Sequence, residues 1–298
     1  MARKKDISAI TQLKDEDLDQ LIRKGMEKQQ ATRKRNAYMA FAPMGYQERW
    51  FASTKKMLIL LAGNQTGKTT CGAIRTIKAC VGYWPFSIGG EAKPEFQDLR
   101  GIRCLVAGES YSTSIPSAIL PKLKEFISAE MLLGPPKKHG STGMESVFKF
   151  VTGAELHVMS YEQGSDAYEG SLWNHVWLDE PPPETVFNAI RRGTLATNGN
   201  IVITATPLKE PWMYDNLCIP ALDPRSALYG TADIERCNIH DNCMECNNGA
   251  LPHREIMAYL ETLSPKERAA REKGEFSDLS GLEFTEYNEV IHVVDDFI

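Results

Sequence analysis

Gly63-Asn64-Gln65-Thr66-Gly67-Lys68-Thr69-Thr70 satisfies the pattern G-x-x-x-x-G-K-[ST] at every fixed position. Its glycines let the backbone curl, so that successive N–H groups and a following helix N-terminus point at phosphates. Lys68 is suited to neutralise the β- and γ-phosphates, and the Thr69 hydroxyl to ligate Mg²⁺. Such a loop needs an acidic residue at the tip of a neighbouring strand. Asn174-His175-Val176-Trp177-Leu178-Asp179-Glu180 supplies one, with Asp179 placed to hold hydrated Mg²⁺ and Glu180 to polarise an attacking water. A paired Asp-Glu points to ATP hydrolysis.

Three further groups carry less specific signals. Ile201-Val202-Ile203-Thr204-Ala205-Thr206-Pro207 is an apolar strand ending in hydroxyls. Thr204 or Thr206 could sense the γ-phosphate, or simply end a buried strand. Tyr46-Gln47 precedes the phosphate loop by one short helix; Gln47 could read the adenine edge while Tyr46 stacks, or both could begin an ordinary amphipathic helix. Cys237, His240, Cys243 and Cys246, with His253 after them, have the ligand types of a tetrahedral zinc site. The spacing is compressed for one ion, and free side chains in an inserted loop are the competing explanation. Lys137-Lys138 and Arg191-Arg192 are basic pairs able to touch a nucleic-acid backbone or to stay solvated.

These residues must be positioned by strands and helices, and the hydrophobic pattern supplies both. Strands are expected at Met57–Ala62, Ile102–Ala107, Val147–Val151, Glu155–Ser160, His175–Leu178 and Asn200–Ala205, with helices over Gly67–Cys80, Thr113–Ser128 and Pro183–Arg192. Alternation of the two implies an α/β domain with a mostly parallel sheet covered on both faces. Val147–Val151 and Glu155–Ser160, joined through Thr152-Gly153, read instead as a hairpin.

The chain has 298 residues, 42% hydrophobic and 24% charged, with a net charge of -5. Those proportions exclude a disordered, collagen-like or disulfide-stapled protein. Residues 1–35 carry ten basic and six acidic side chains, a local +4 that leaves -9 on the remainder. A nucleic acid would therefore be gripped by local loops, not by a basic body. Seven cysteines and a polar start, Met1-Ala2-Arg3-Lys4-Lys5, predict a reduced, cytosolic chain. The apolar run Met57–Ala62 is far shorter than the ~20 residues of a membrane span.

Taken in order, Phe41-Ala42-Pro43 with Tyr46-Gln47, Gly63–Thr70, Trp177–Pro182 and Thr204–Leu208 resemble the large terminase subunit of tailed bacteriophages. Glu267–Phe276 and Ser280–Phe284 continue the likeness, which runs from about residue 40 onward. The resemblance implies a RecA-like P-loop ATPase of the ASCE class. It would be a motor translocating double-stranded viral DNA into a procapsid, acting as a ring with portal and small terminase partners in the host cytoplasm. A helicase-like DNA-dependent ATPase is the alternative. The expected organisation is a charged helical arm over 1–40, the ATPase domain over 41–262 and a lid or linker over 263–298. The family's nuclease would begin near Asp295-Asp296-Phe297-Ile298, so DNA cleavage is not expected of this chain. Members often present an arginine finger from the phosphate loop or from just before the acidic strand. Neither place holds arginine here, which leaves Arg191 and Arg192 as replacements.

Overall fold

A computed structural model describes residues 37–91 and 95–276. Most of the expected arm, residues 1–36, lies outside them, as do Ser280–Phe284 and Asp295–Ile298. The strands are β1 (Met57–Ala62), β2 (Arg103–Gly108), β3 (Lys137–Lys138), β4 (Glu145–Lys149), β5 (Glu155–Ser160), β6 (His175–Asp179), β7 (Asn200–Ala205) and β8 (Ala232–Cys237). They form one sheet in the order β3-β4-β5-β2-β6-β7-β1-β8. All pairings from β5 across to β8 are parallel. Only the β3-β4 and β4-β5 pairings are antiparallel, so β4 alone runs against the other strands and the expected hairpin extends an otherwise parallel α/β sheet.

The longer helices are α1 (Gly45–Ala52), α2 (Lys68–Val81), α3 (Leu120–Phe126), α4 (Glu184–Leu195), α5 (His253–Glu261) and α6 (Pro265–Lys273). The two-residue period of each strand divides the core between the sheet faces. Leu58, Leu60, Val106 and Trp177 point to one face, where they meet Ile74 and Ile77 of α2. Ile59, Leu61, Leu105 and Ile203 point to the other and meet Phe187 and Ile190 of α4. Each such buried side chain contributes about 1.5–3 kcal/mol of transfer free energy. A satellite cluster of Ile239, Cys243, Ile256 and Leu260 lies under α5.

Three differences from the sequence pattern have local causes. The expected helix Thr113–Ser128 is a wide π-helical turn over Ile115–Ile119 followed by α3. Pro121 cannot donate the backbone bond that a regular helix requires there. Strand β4 ends at Lys149 instead of Val151, because Phe150 turns to bond Ala154 and Val151 turns to bond Met131. Strand β8 was not anticipated at all.

Candidate active site

Six buried apolar residues carry β1 straight into the phosphate loop, and α2 begins immediately after it. The turn requires left-handed backbone at Gly67, φ 90°, and at Gln65, φ 54°. Thr66 is fully buried and its hydroxyl donates to the Gly63 carbonyl at 3.0 Å. The loop is also held from behind. The Asn64 N–H donates to the Arg271 carbonyl of α6 at 3.0 Å, and the Gly63 N–H to the Cys237 carbonyl of β8 at 3.2 Å. An added Cβ at Gly63 would sit 2.3 Å from the Arg271 oxygen, so only glycine permits this approach.

Tyr46 is buried in α1 and its hydroxyl donates to the Thr66 carbonyl. Its buried ring therefore supports the loop from beneath, in keeping with the alternative that Tyr46 belongs to an ordinary amphipathic helix. Gln47 Nε2 donates to the Tyr46 hydroxyl at 3.0 Å, and its Oε1 accepts from the Met44 N–H at 2.9 Å. Gln47, Lys68, Thr69 and Thr70 line one wall of a cleft of about 630 Å³; Asn242 and the stretch 248–250 form another.

The acidic strand is separated from β1 by β7, which pairs with both. Register places Asp179 opposite Thr204, and Thr204 opposite Leu60. Thr69 Oγ1, at the start of α2, comes to 3.4 Å from Asp179 Oδ1. Thr204 Oγ1 donates to the same oxygen at 2.8 Å and itself accepts from Trp177 Nε1 at 2.8 Å. Burial, and then the neighbouring Glu180 charge, push the Asp179 carboxyl up from 3.8 to about 7. The hydroxyl bonds and the Lys68 charge oppose that rise but do not cancel it.

Glu180 adopts φ 64°, a left-handed conformation uncommon for a residue with a side chain. Its N–H donates to the Thr204 carbonyl at 2.8 Å, and the buried Tyr161 hydroxyl donates to its carbonyl at 2.9 Å. Its side chain is thereby aimed at Thr206. Oε2 accepts from the Thr206 N–H at 2.8 Å and Oε1 from the Thr206 hydroxyl at 3.2 Å. Lys68 Nζ bridges this pair, 3.3 Å from Glu180 Oε1 and 2.7 Å from Thr206 Oγ1. Lys68, Thr69, Asp179, Glu180, Thr204 and Thr206 thus form one connected polar network at the carboxyl ends of the parallel strands, where open α/β sheets bind ligands.

Other expected residues lie elsewhere. Arg191 lines a hollow with Lys56, Met57 and Asn198, at the amino end of β1. That is about a strand length, ~17 Å, from the phosphate loop, so it cannot reach this chain's own nucleotide. Exposed Arg192 pairs with Glu169. Lys137 and Lys138 form exposed β3 at the sheet edge. The proposed metal quartet is not assembled as expected. Cys237 is the buried last residue of β8, whereas Cys243, Cys246 and His253 converge. Sequence patterns gave no sign of Tyr161, Asn242 or the α6 contact, because backbone bonds from distant loops leave no motif.

A glycine-rich loop between a buried strand and a helix, facing an Asp-Glu pair across two hydroxyl side chains, is the arrangement of a P-loop nucleoside triphosphatase on a mostly parallel α/β sheet. The family model for the large terminase subunit, T4-like-virus type, N-terminal region, matches residues 59–285, and the chain belongs to that family. It is thereby an ATPase of the DNA-packaging class. No curated protein matches it in sequence. Among solved structures, the large terminase ATPase domain of Thermus phage P74-26 has a TM-score of 0.55 at 16% identity, covering 80% of this chain and 96% of that one. The large terminase of the thermophilic bacteriophage D6E has a TM-score of 0.55 at 13% identity, covering 78% of this chain and 53% of that one. Its ADP complex has a TM-score of 0.50 at 14% identity, covering 76% and 51%. This chain therefore spans about half the length of the D6E protein, and at such identities the likeness establishes the RecA-like fold.

Proposed function

We propose that this chain binds ATP at Gly63–Thr70 and hydrolyses it with Asp179 and Glu180, driving double-stranded viral DNA into a procapsid. The observation that carries the residue roles is the single network joining Lys68, Glu180 and Thr206, with Asp179 and Thr69 beside it. The D6E protein was solved in complex with ADP, which supports nucleotide binding by this chain.

The donor set suits Mg²⁺. Two oxygen ligands, Thr69 Oγ1 and Asp179 Oδ1, stand together, and Asp179 is a carboxyl raised by burial and by the neighbouring Glu180 charge, which a cation would offset. A bound Mg²⁺ would supply charge neutralisation for the phosphates. The remaining work falls to the chain. A γ-phosphate entering beside Lys68 draws its ammonium from Glu180, freeing Oε1 to accept a proton from water. That water bonds to the γ-phosphorus as the bond to the bridging β,γ-oxygen breaks, giving ADP and inorganic phosphate. Thr206, which bonds both Lys68 and Glu180, registers the exchange and passes it along β7. A finger role for Arg191 or Arg192 would act on a neighbouring subunit's nucleotide, since both lie far from their own.

A ring of such subunits, docked through portal and small terminase in the host cytoplasm, needs only a few phosphate contacts from each copy, so the net charge of -5 is no obstacle. No helix among the described residues is long and apolar enough to cross a membrane. The test is ATP turnover with and without double-stranded DNA for the wild type, Glu180→Gln and the Arg191→Ala, Arg192→Ala double variant. Glu180→Gln should retain nucleotide binding and lose ~10²–10⁴-fold in turnover. Intact turnover in Glu180→Gln overturns its assignment as base, and intact turnover in the double arginine variant overturns the finger role.

A further inference from the structure

A second chemical cluster lies between β8 and α5. Cys243 Sγ is 3.6 Å and Cys246 Sγ 3.5 Å from His253 Nδ1, and the three donor atoms lie within 4.8 Å of one another. In a tetrahedral zinc centre, with bonds of about 2.3 Å to sulfur and 2.05 Å to nitrogen, the sulfur–nitrogen edge is about 3.5 Å. Hydrogen bonds also serve the group, since Cys243 Sγ lies 3.6 Å from Glu245 Oε2, but both sulfurs already stand at the tetrahedral-edge distance from one ring nitrogen.

The backbone is folded to hold the three residues together. Cys243 bridges Leu251, the Met244 N–H donates to the Leu251 carbonyl at 2.7 Å, and the Gly249 N–H returns to the Cys243 carbonyl at 3.0 Å. His240 stands beside the group, its ring 5.6 Å from that of His253. Its Nε2 faces Glu272 Oε1 at 3.6 Å, which leaves Nδ1 as the donor. A carboxylate on the remote ring nitrogen is the usual outer partner of a metal-bound histidine.

We propose that Cys243, Cys246 and His253 bind a structural zinc ion, and that His240, which stands outside their group, turns its Nδ1 inward to close the shell. The ion fastens the loop that forms one wall of the nucleotide cleft. Asn242, next to Cys243, donates from Nδ2 to the Gln65 carbonyl of the phosphate loop at 2.6 Å and accepts the Ala250 N–H at 2.9 Å. The stretch 248–250 lies directly on the cleft. Metal content is therefore linked to nucleotide affinity, a consequence that rests on the cleft being the nucleotide site.

The full chain, expressed with zinc and purified without chelator, should carry about one zinc per chain and, exchanged with Co²⁺, show thiolate-to-cobalt charge-transfer absorption. Cys246→Ser, at an exposed position where folding is not threatened, should fall below ~0.2 zinc per chain, and Cys243→Ser likewise. Cys237→Ala should keep its zinc, and His240→Ala should lose ~10–100-fold in zinc affinity. Wild type below ~0.2 zinc with no cobalt band overturns the site, as does zinc retained by Cys246→Ser. Unaltered affinity in His240→Ala overturns its part in the shell. Removing zinc should weaken binding of a fluorescent ATP analogue about tenfold, the 1.4 kcal/mol that partial loss of one cleft wall implies. Unchanged binding refutes the link between the two sites, whereas no binding in either metal state refutes the nucleotide reading of the cleft and leaves zinc content to decide the metal.

Discussion

Asp179→Asn should make the nucleotide-free protein more stable, and increasingly so as pH rises. The wild-type carboxyl is pushed from 3.8 to about 7 by burial and by Glu180. Because its folded pKa lies above its unfolded one, the folded state binds the proton more tightly. The penalty is absent below the unfolded value, grows through the interval, and is complete above the folded value. At about 1.4 kcal/mol per pH unit the full penalty is about 4 kcal/mol, less than half of which has developed by about pH 5. Asparagine keeps an oxygen for the Thr204 hydroxyl, which donates at 2.8 Å, and removes the ionisation. The variant should therefore gain about 2–3 kcal/mol on wild type between about pH 5 and about pH 8. Urea unfolding of both proteins, without nucleotide or Mg²⁺, measures the gap. Buried His175, whose pKa falls from 6.5 to about 4, titrates in both proteins and cancels in the difference. A gap independent of pH, or a variant less stable at about pH 8, would refute the account of Asp179 as an uncompensated buried acid. Mg²⁺ should narrow the gap by stabilising only the wild type.

Two more perturbations probe the supports of the site. In Gly72→Ala the new Cβ would lie 2.0 Å from Trp177 Cε2, so overpacking of about 1–3 kcal/mol should outweigh alanine's helix preference; denaturant midpoints test this, and equal or higher stability would contradict the close packing of α2 on β6. The same displacement moves Trp177 off Thr204, so Gly72→Ala should also bind nucleotide more weakly in a fluorescence titration. Tyr46→Phe removes the hydroxyl that donates to the Thr66 carbonyl, and should cost about 1 kcal/mol of stability and weaken nucleotide binding. Undiminished binding in that variant would show that Tyr46 does not brace the loop.

The residues that could be read directly from the sequence are those whose role is imposed locally. Strands β1 and β7 end where their apolar runs end, because both are buried on each face and bounded by a loop that the chemistry itself requires. Thr69, Asp179 and Thr204 meet because strand register and the loop helix leave them no other place. Strand β8 escaped notice because it has one neighbour. Asp233, Ile234 and Glu235 are only half-buried and Arg236 is exposed, so no apolar run marks it. For the same reason the spacing does not reveal that Cys237 closes a strand while Cys243 and Cys246 belong to the following turn. The support that Tyr46 gives the phosphate loop is illegible for a related reason. A hydroxyl buried against a main-chain carbonyl has no sequence signature.

The bond from Asn64 to the Arg271 carbonyl, with Gly274 packed against Leu61, ties the start of the ATPase domain to a segment ~200 residues later. During synthesis β1 and its loop leave the ribosome long before α6 exists. At about 5–20 residues per second the loop waits ~10–40 s for its rear support, and β8, whose Cys237 carbonyl holds Gly63, arrives only shortly before. A nascent chain therefore displays the complete phosphate-binding motif without its final geometry. Nucleotide affinity should appear late and abruptly in a series of ribosome-stalled lengths, which keeps a half-made chain from engaging ATP.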